Sequence, residues 1–341
     1  MKNTKNAFFA AANGYKGFQS YYEQILDGDA YQHVYVLKGG PGTGKSTLMR
    51  TVEQHFGERD VKSERILCSS DPDSLDGVIL TSENGRVAIV DGTAPHQRDA
   101  TLPGARDGLW NLAEHVDESM LKSVRGELTQ LQRQKAIAYK KGYEFLSLCR
   151  AINSKIEAEL ESEENISGVY GELTHALEGA KCGEISVRLY NAFCKDGRIS
   201  LPYRTDAEQR IFLSGNSYII KRLMERLFRR VRQHGYGATV TPDALDPDRI
   251  LSVTIPSVGL CVTTQPIDQA TRTFYFPCPA SEQIPEMQDF HESLLERARL
   301  SFQEAFGYHK EMELVYGRAI DFTYIDDCRD KIIRNIDRYL F

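Results

Sequence analysis

Residues 34–50 read VYVLKGGPGTGKSTLMR. Val34–Leu37 is an apolar, β-favouring run, the composition of a strand buried in a parallel sheet. Gly39, Gly44, Lys45 and Ser46 then fall at the spacing GxxxxGK[ST], with a helix-forming stretch behind them. Strand, glycine-rich turn and helix in that order make a phosphate cradle. Glycines at 39, 40, 42 and 44 let the backbone curl so that successive N–H groups point inward, and leave no Cβ to obstruct an anion. The helix starting near Lys45 aims its first N–H groups the same way. The expected nucleotide contacts are Gly40, Pro41, Gly42, Thr43, Gly44, Lys45, Ser46 and Thr47. Lys45 should reach the β- and γ-phosphates, Thr47 should lie near the α-phosphate, and the Ser46 hydroxyl should ligate Mg²⁺. The bland alternative is a glycine-rich turn followed by an incidental Lys-Ser.

The metal calls for an acid at the end of a nearby strand. RVAIVDGTAPH (residues 86–96) supplies it: Val87–Val90 reads as a strand and Asp91 stands at its C-terminal end. That edge of an α/β sheet is where ligands bind. Asp91 is therefore assigned to the metal shell and, with Lys45, to catalysis; otherwise it caps the turn before Gly92. Gly92 stands where many hydrolases with this loop place the carboxylate that activates water. Either His96, Asp71, Asp73 or Asp76 supplies the base, or hydrolysis is slow.

The chain is written twice. With Gly215 laid on Gly39, Lys221 falls on Lys45 and IFLSG lies on YVLKG. SDPDSLDGV (70–78) meets LDPDRILSV (245–253), and VAIVDGT (87–93) meets GLCVTTQ (259–265). Upstream, GYKGF meets LYNAF, bringing Phe18 over Phe193; downstream, AIAYKKGYEFL (136–146) overlays AFGYHKEMELV and RAIN overlays RAID. Collinear matches of this extent indicate tandem domains rather than short solenoid repeats. In the second copy Gly44 has become Ile220, Ser46 has become Arg222 and Asp91 has become Thr263. The side chains of Tyr218 and Ile219 are expected to occupy the phosphate space, so the second loop is degenerate at residues 215–222. Asp-Pro-Asp persists in both copies, which favours a structural role: Asp71 or Ser70 capping a short helix that begins at Pro72.

Taken together, LKGGPGTGKSTLM, CSSDPDSLDGV, DGTAPH and PGA (103–105) resemble the poorly characterised bacterial tandem P-loop ATPases, over nearly the whole chain. Members of that family often carry an intact second loop, and this chain departs from them there. The resemblance implies fold and nucleotide class but no cellular role.

Composition is permissive. The 341 residues have an ordinary apolar share, and a net charge of −6 with both signs intermingled gives no general pull toward nucleic acid or anionic membrane. Seven dispersed cysteines without a CxxC pair read as reduced, mostly buried thiols, and no zinc site is expected. The N-terminal apolar patch is too short for a signal sequence and no segment is long enough to span a membrane, so the expected compartment is the cytoplasm.

Elsewhere, a helix should run from Lys45 to Phe56 and end at Gly57, and Arg65–Cys68 should be a strand. Arg98 and Arg106, in a loop over the nucleotide side, are read as solvated rather than as γ-phosphate contacts. Glu118–Glu159 is strongly helical, an antiparallel hairpin or long arm, and residues 284–341 should repeat it. Its cations Lys122, Arg125, Arg133, Lys135, Lys140 and Lys141 read as a wet face more readily than as a nucleic-acid contact. For KRLMERLFRRVRQHG (221–235) three readings stand: a solvated face, an anionic partner, or an arginine (Arg226 or Arg229) offered to the first site.

The expected architecture is α/β: two tandem P-loop NTPase-like domains with mostly parallel sheets and helical appendages, residues 1–180 (arm about 117–165) and 181–341. The expected activity is hydrolysis of Mg-ATP in the N-terminal half. The alternatives are a nucleoside- or nucleotide-kinase-like phosphotransferase and a non-catalytic, nucleotide-responsive binding module. ATP is preferred over GTP only because no NKxD guanine-reading motif is present. A protein partner is open; nucleic acid and membrane are not expected partners.

Overall fold

A computed structural model describes residues 6–26, 30–94, 98–162 and 165–341. The first half runs β1 (Ala7–Phe9), β2 (Ala11–Gly14), β3 (Gly17–Ser20), α1 (Tyr22–Leu26), β4 (His33–Lys38), α2 (Lys45–Gly57), β5 (Lys62–Leu67), β6 (Leu75–Thr81), β7 (Arg86–Asp91), β8 (Asp107–Asn111), α3 (Glu118–Ser123), α4 (Arg125–Glu159) and α5 (Ser167–His175). The second runs β9 (Ile185–Val187), β10 (Asn191–Cys194), β11 (Gly197–Ser200), β12 (Gln209–Gly215), α6 (Ser217–His234), β13 (Ala238–Pro242), β14 (Ile250–Ile255), β15 (Leu260–Thr263), β16 (Arg272–Phe276), α7 (Gln283–Gly317) and α8 (Phe322–Leu340).

Two six-stranded sheets result, ordered β1-β5-β6-β7-β4-β8 and β9-β13-β14-β15-β12-β16. The orders correspond strand for strand. In each sheet one strand, β6 or β14, runs against the other five. Both of these strands bulge at the same place: the register slips between Ile66 and Leu67 and between Thr241 and Pro242, leaving Asp76 and Leu251 as the inserted residues. The architecture is mixed α/β, built twice. Each half also has a short hairpin, β2-β3 and β10-β11, closed by a two-residue turn. The glycines that end these turns, Gly17 and Gly197, have φ of 92° and 85°, a left-handed geometry that glycine adopts without strain. They correct the alignment of GYKGF: it matches CKDGR (194–198), not LYNAF.

Packing crosses the halves. On the first sheet, α2 places Leu48, Met49, Val52 and Phe56 beside α8, which contributes Ile325, Cys328, Ile332, Ile336 and Leu340. Five side chains buried at about 1.5–3 kcal/mol each amount to roughly 10 kcal/mol before ordering entropy, so α8 belongs to that core. Conversely, α5 buries Leu173 on the second sheet with Leu223, Leu227 and Val231 of α6. Each core is thus completed by a helix from the opposite half of the sequence. The connection is α4 and α7, 35 residues each, lying antiparallel. Leu128, Leu131, Ala138, Gly142, Leu146 and Cys149 form the seam of α4 at heptad-like spacing. Gly142 is flush with Phe302: a Cβ there would lie 2.4 Å from the ring. The partner of the arm is therefore α7, not a second half of its own hairpin. RAIN lies within α4, whereas RAID joins α7 to α8, so that overlay does not equate the same elements.

The Asp-Pro-Asp segments form turns at the contact between halves and start no helix. The Ser74 N–H donates to the Asp71 carbonyl across a turn with Pro72 in its second position. The Asp71 carboxylate lies 3.6 Å from Lys195, in the β10-β11 turn, and reciprocally Asp248 pairs with Lys16 in the β2-β3 turn. Gly57 is the last residue of α2 and is not a left-handed cap; the left-handed cap is Gly235, after α6. No helix among the described residues is long and apolar enough to cross a membrane. Of seven free cysteines four are buried, while Cys182 and Cys278 are exposed.

Candidate phosphate-binding site

The central strand β4 delivers the chain at Lys38, and α2 takes it up at Lys45. Between them Gly42 and Gly44 have φ of 73° and 78°, and Gly44 enters the helix with no side chain capping it. The first N–H groups of α2 therefore keep the unmet donor capacity of an uncapped helix start. Thr43, 1% exposed, pins the loop by donating its hydroxyl to the Gly40 carbonyl at 2.9 Å. Lys45 curls back over the loop. Its Nζ donates to the carbonyls of Gly39 at 2.7 Å and Gly40 at 2.9 Å, and lies 3.6 Å from Asp91 Oδ2. Both side chains are largely sheltered, at 11% and 15% exposure. One sheltered cation, held by two carbonyl dipoles and facing one carboxylate, sits over the loop at the uncapped start of α2.

Ser46 and Asp91 are each half committed. The Ser46 Oγ accepts the Leu75 N–H at 3.0 Å, which uses one of its two lone pairs. Asp91 Oδ1 accepts the Thr93 N–H at 2.8 Å, leaving Oδ2 directed to Lys45. Among the described residues no group of three or more His, Cys, Asp or Glu side chains is arranged to hold a metal. Mg²⁺ on a triphosphate needs only one or two protein ligands, the rest coming from phosphate and water, and the Ser46 hydroxyl with Asp91 Oδ2, here facing Lys45, would meet that demand. Thr47 is exposed, and Gly40 and Pro41 are half-buried.

One new residue and one of the candidate bases bear on this set. The Thr93 hydroxyl lies within hydrogen-bonding distance of both Asp91 Oδ1 and the Gly39 carbonyl, tying the end of β7 to the loop. The sequence signal for it was the Asp-Gly-Thr turn itself. Asp76 is the second. It is 6% exposed and directly precedes Gly77, which pairs with Val90, the neighbour of Asp91. Both carboxylates bear on the Tyr22 phenol, whose pKa is raised first by burial and then by Asp76 and Asp91. Of the four candidate bases, Asp71 is held near Lys195 and Lys310, Asp73 is exposed, and His96 lies outside the described residues. Asp76 is buried, and its counterpart in the second copy is Leu251.

Arg98 and Arg106 are not solvated. Arg98 is 4% exposed, and Arg106 pairs with buried Asp107 at 3.0 Å. Burial would raise the Asp107 pKa, but the Arg106 guanidinium and the N–H groups of Leu102 and Thr101 hold it well below the usual carboxylate range. Lys38 fastens the start of the same loop through the carbonyls of Gly92 and Arg98. Arg226 stacks over Tyr170 of α5 at 4.4 Å, and Arg229 lines a groove with Tyr21 and Asp248. Neither is brought to the first loop. On the arm, Lys122, Arg125, Arg133, Lys140 and Lys141 face solvent.

The second loop is not an obstructed cradle; it has been wound into helix. Asn216 caps α6, accepting from the N–H groups of Tyr218 and Ile219, and the helix starts at Ser217, before the residue that aligns with Lys45. Ile219 is fully buried in the second core, so it fills no phosphate space. Acidic residues at and just beyond the end of α4 satisfy what remains: Lys221 bonds Glu157 at 3.0 Å and the Tyr218 hydroxyl bonds Glu161 at 2.9 Å. Thr263 repeats the turn role of Asp91, accepting the Gln265 N–H at 3.0 Å, without a carboxylate.

No family model, curated protein or solved structure matches the chain.

Proposed function

We propose that the chain is a P-loop ATPase of the tandem kind, binding and hydrolysing Mg-ATP in its N-terminal half while its C-terminal half serves as a structural partner. The observation that carries this reading is the contrast between two copies of one loop. One keeps uncapped helix N–H groups, a sheltered lysine and a carboxylate 3.6 Å from it; the other is capped, wound and neutralised by a glutamate of α4. The strand order, with Asp91 at the end of the strand beside β4, supports a P-loop NTPase-like arrangement.

In this reading the loop N–H groups and Lys45 hold the β- and γ-phosphates and stabilise charge that grows on the γ-phosphoryl oxygens as water attacks in line. Ser46 Oγ and Asp91 Oδ2 would hold Mg²⁺, which supplies charge neutralisation on the phosphate oxygens. Thr93 keeps the Asp91 carboxylate oriented. Asp76, buried beside the residue that pairs with Val90, is taken as the group that receives the proton of the attacking water, directly or through another water. Kinase chemistry with Asp71 as base is disfavoured, because that carboxylate already faces Lys195 and Lys310.

The test is phosphate release from Mg-ATP. Wild type should turn over without added acceptor. Lys45→Ala should abolish it, and Asp76→Asn should lower kcat by about 10²-fold or more with binding retained, the scale of a lost general base. Turnover that survives Lys45→Ala would refute the reading.

A further inference from the structure

Phe322 is a large apolar side chain in an unusual position. It is the first residue of α8 and is 50% exposed, yet its ring edge lies 3.8 Å from where a side chain on Gly44 would begin. An aromatic ring thus stands against the last residue of the candidate phosphate loop with a face open to solvent. Its backbone is firmly fixed. Asp321 caps α8 by accepting from the N–H groups of Thr323 and Tyr324 at 2.9 and 3.4 Å. The Asp321 N–H donates to the His115 carbonyl, and Asp117 N–H to that of Ala319. Tyr324 stacks on His115 at 4.2 Å and donates to Glu114 at 2.8 Å. Tyr324 is therefore occupied; Tyr316, whose ring lies 3.7 Å from where a side chain on Gly40 would begin, is half-buried against the arm; Phe322 presents the exposed ring.

Its side of the loop also matters. Lys45 Nζ faces Asp91, at the end of β7, on one flank of β4. The most charged end of a bound triphosphate belongs there. Phe322 lies on the other flank, where β8 ends and the α7–α8 junction crosses. A phosphate chain that starts at Lys45 and passes the first turn of α2 releases its nucleoside on that flank.

The degenerate half serves as an internal control. Its corresponding crossing, Leu160–Ile166 between α4 and α5, contains no aromatic residue. It closes instead onto the wound loop: Asn216 donates to the Leu160 carbonyl at 2.9 Å and Arg222 to that of Ser162 at 3.3 Å. On the open side the crossing carries an exposed ring; on the closed side it carries none, and the ring there, Tyr218, belongs to the loop itself and is tied to Glu161.

We propose that Phe322 is the stacking platform for the nucleobase of the bound nucleotide, an assignment that rests on the nucleotide reading above. A ring reads the π-face of a base and not its edge, so this contact favours purines over the smaller pyrimidines and does not separate adenine from guanine. The site's substrate class is then purine nucleoside triphosphates, with the recognising residue drawn from the opposite half of the sequence.

The experiment measures affinity for Mg-ATP and for magnesium tripolyphosphate by titration calorimetry, in wild type, Phe322→Ala and Phe322→Trp. Wild type should bind both. Phe322→Ala should weaken Mg-ATP by about five- to a hundredfold, the range for losing one base–aromatic stack, and leave tripolyphosphate unchanged. Phe322→Trp should retain ATP affinity, with its indole fluorescence quenched by Mg-ATP and not by tripolyphosphate. Equal losses for both ligands, or no loss for either, overturn the assignment while the nucleotide reading survives. A wild type that binds neither ligand sinks the nucleotide reading, and this assignment with it.

Discussion

Replacing Gly42 with alanine tests whether the second half of the sequence is seated on the loop of the first. Gly42 has a φ of 73°, and a Cβ built on it would lie 2.5 Å from the backbone carbonyl oxygen of Glu313 in α7. Two costs follow. A side chain in the left-handed region costs about 1–2 kcal/mol. The overlap is with main chain, so no rotamer change relieves it; either the loop or the end of α7 must shift by several tenths of an ångström. That end is held by Met312, buried against Leu128 and Leu131, so the shift disturbs the arm as well. Overpacking of this kind costs about 1–3 kcal/mol. The sum is roughly 2–5 kcal/mol, a large part of a typical folding free energy of about 5–15 kcal/mol. Equilibrium urea unfolding reads it as a lowered midpoint at unchanged slope. Gly57→Ala is the control. Nothing lies within 4 Å of its added Cβ, and alanine is the better helix former, so its midpoint should stay or rise slightly. A Gly42→Ala midpoint equal to wild type would show that α7 does not press on the loop, and that the second half of the sequence is not seated there.

Three further outcomes are expected. The Glu313 carboxyl is drawn from 4.5 to about 2; burial alone would raise it, but hydrogen bonds from His309 and Lys310 prevail. A depressed folded pKa contributes stability above the unfolded value and loses it as pH falls through the folded one. Between pH 4.5 and about 2 the wild type should lose roughly 1–2 kcal/mol, discounted because part of the side chain meets water, that Glu313→Gln lacks throughout; superimposable pH–stability curves would contradict this. Arg226→Ala and Arg229→Ala should leave phosphate release within about twofold of wild type, because neither side chain is brought to the first loop; a tenfold drop in either would revive an arginine contributed across the halves. Gly142→Val should destabilise the arm by several kcal/mol in thermal or urea unfolding, since even a Cβ there meets the Phe302 ring at 2.4 Å; a neutral result would mean that α4 and α7 are not in contact at that level.

Much of the site was legible because its chemistry is local. Six residues of loop, the strand before them and the helix after them are contiguous, so spacing alone singled out Lys45 and Ser46, and strand-end logic singled out Asp91, which lies 3.6 Å from Lys45. The duplication was legible as well, and the matching strand orders reproduce it. What escaped the sequence is non-local. The apolar stripe of α8 announces that the helix packs but not on which sheet, and the buried face of Leu173 is equally silent. Phe18 and Phe193 misled the hairpin alignment because two aromatics resemble each other, whereas the turn glycines Gly17 and Gly197 fix the register. The wound second loop was read as obstructed because substitutions were judged one at a time; Asn216 followed by Ser217 is also a helix start, and the cap decides. Asp76 was legible as one of four possible bases, and the repeat comparison that absolved Asp-Pro-Asp also sets it against Leu251, an acid present only beside the intact loop.

Counting nucleotides settles the matter most directly. Calorimetric titration of the full chain with a slowly hydrolysed ATP analogue and Mg²⁺ should return one site per chain, abolished by Lys45→Ala and untouched by Lys221→Ala. Two sites per chain, or a single site that disappears with Lys221 and not with Lys45, would contradict the division of labour between the halves.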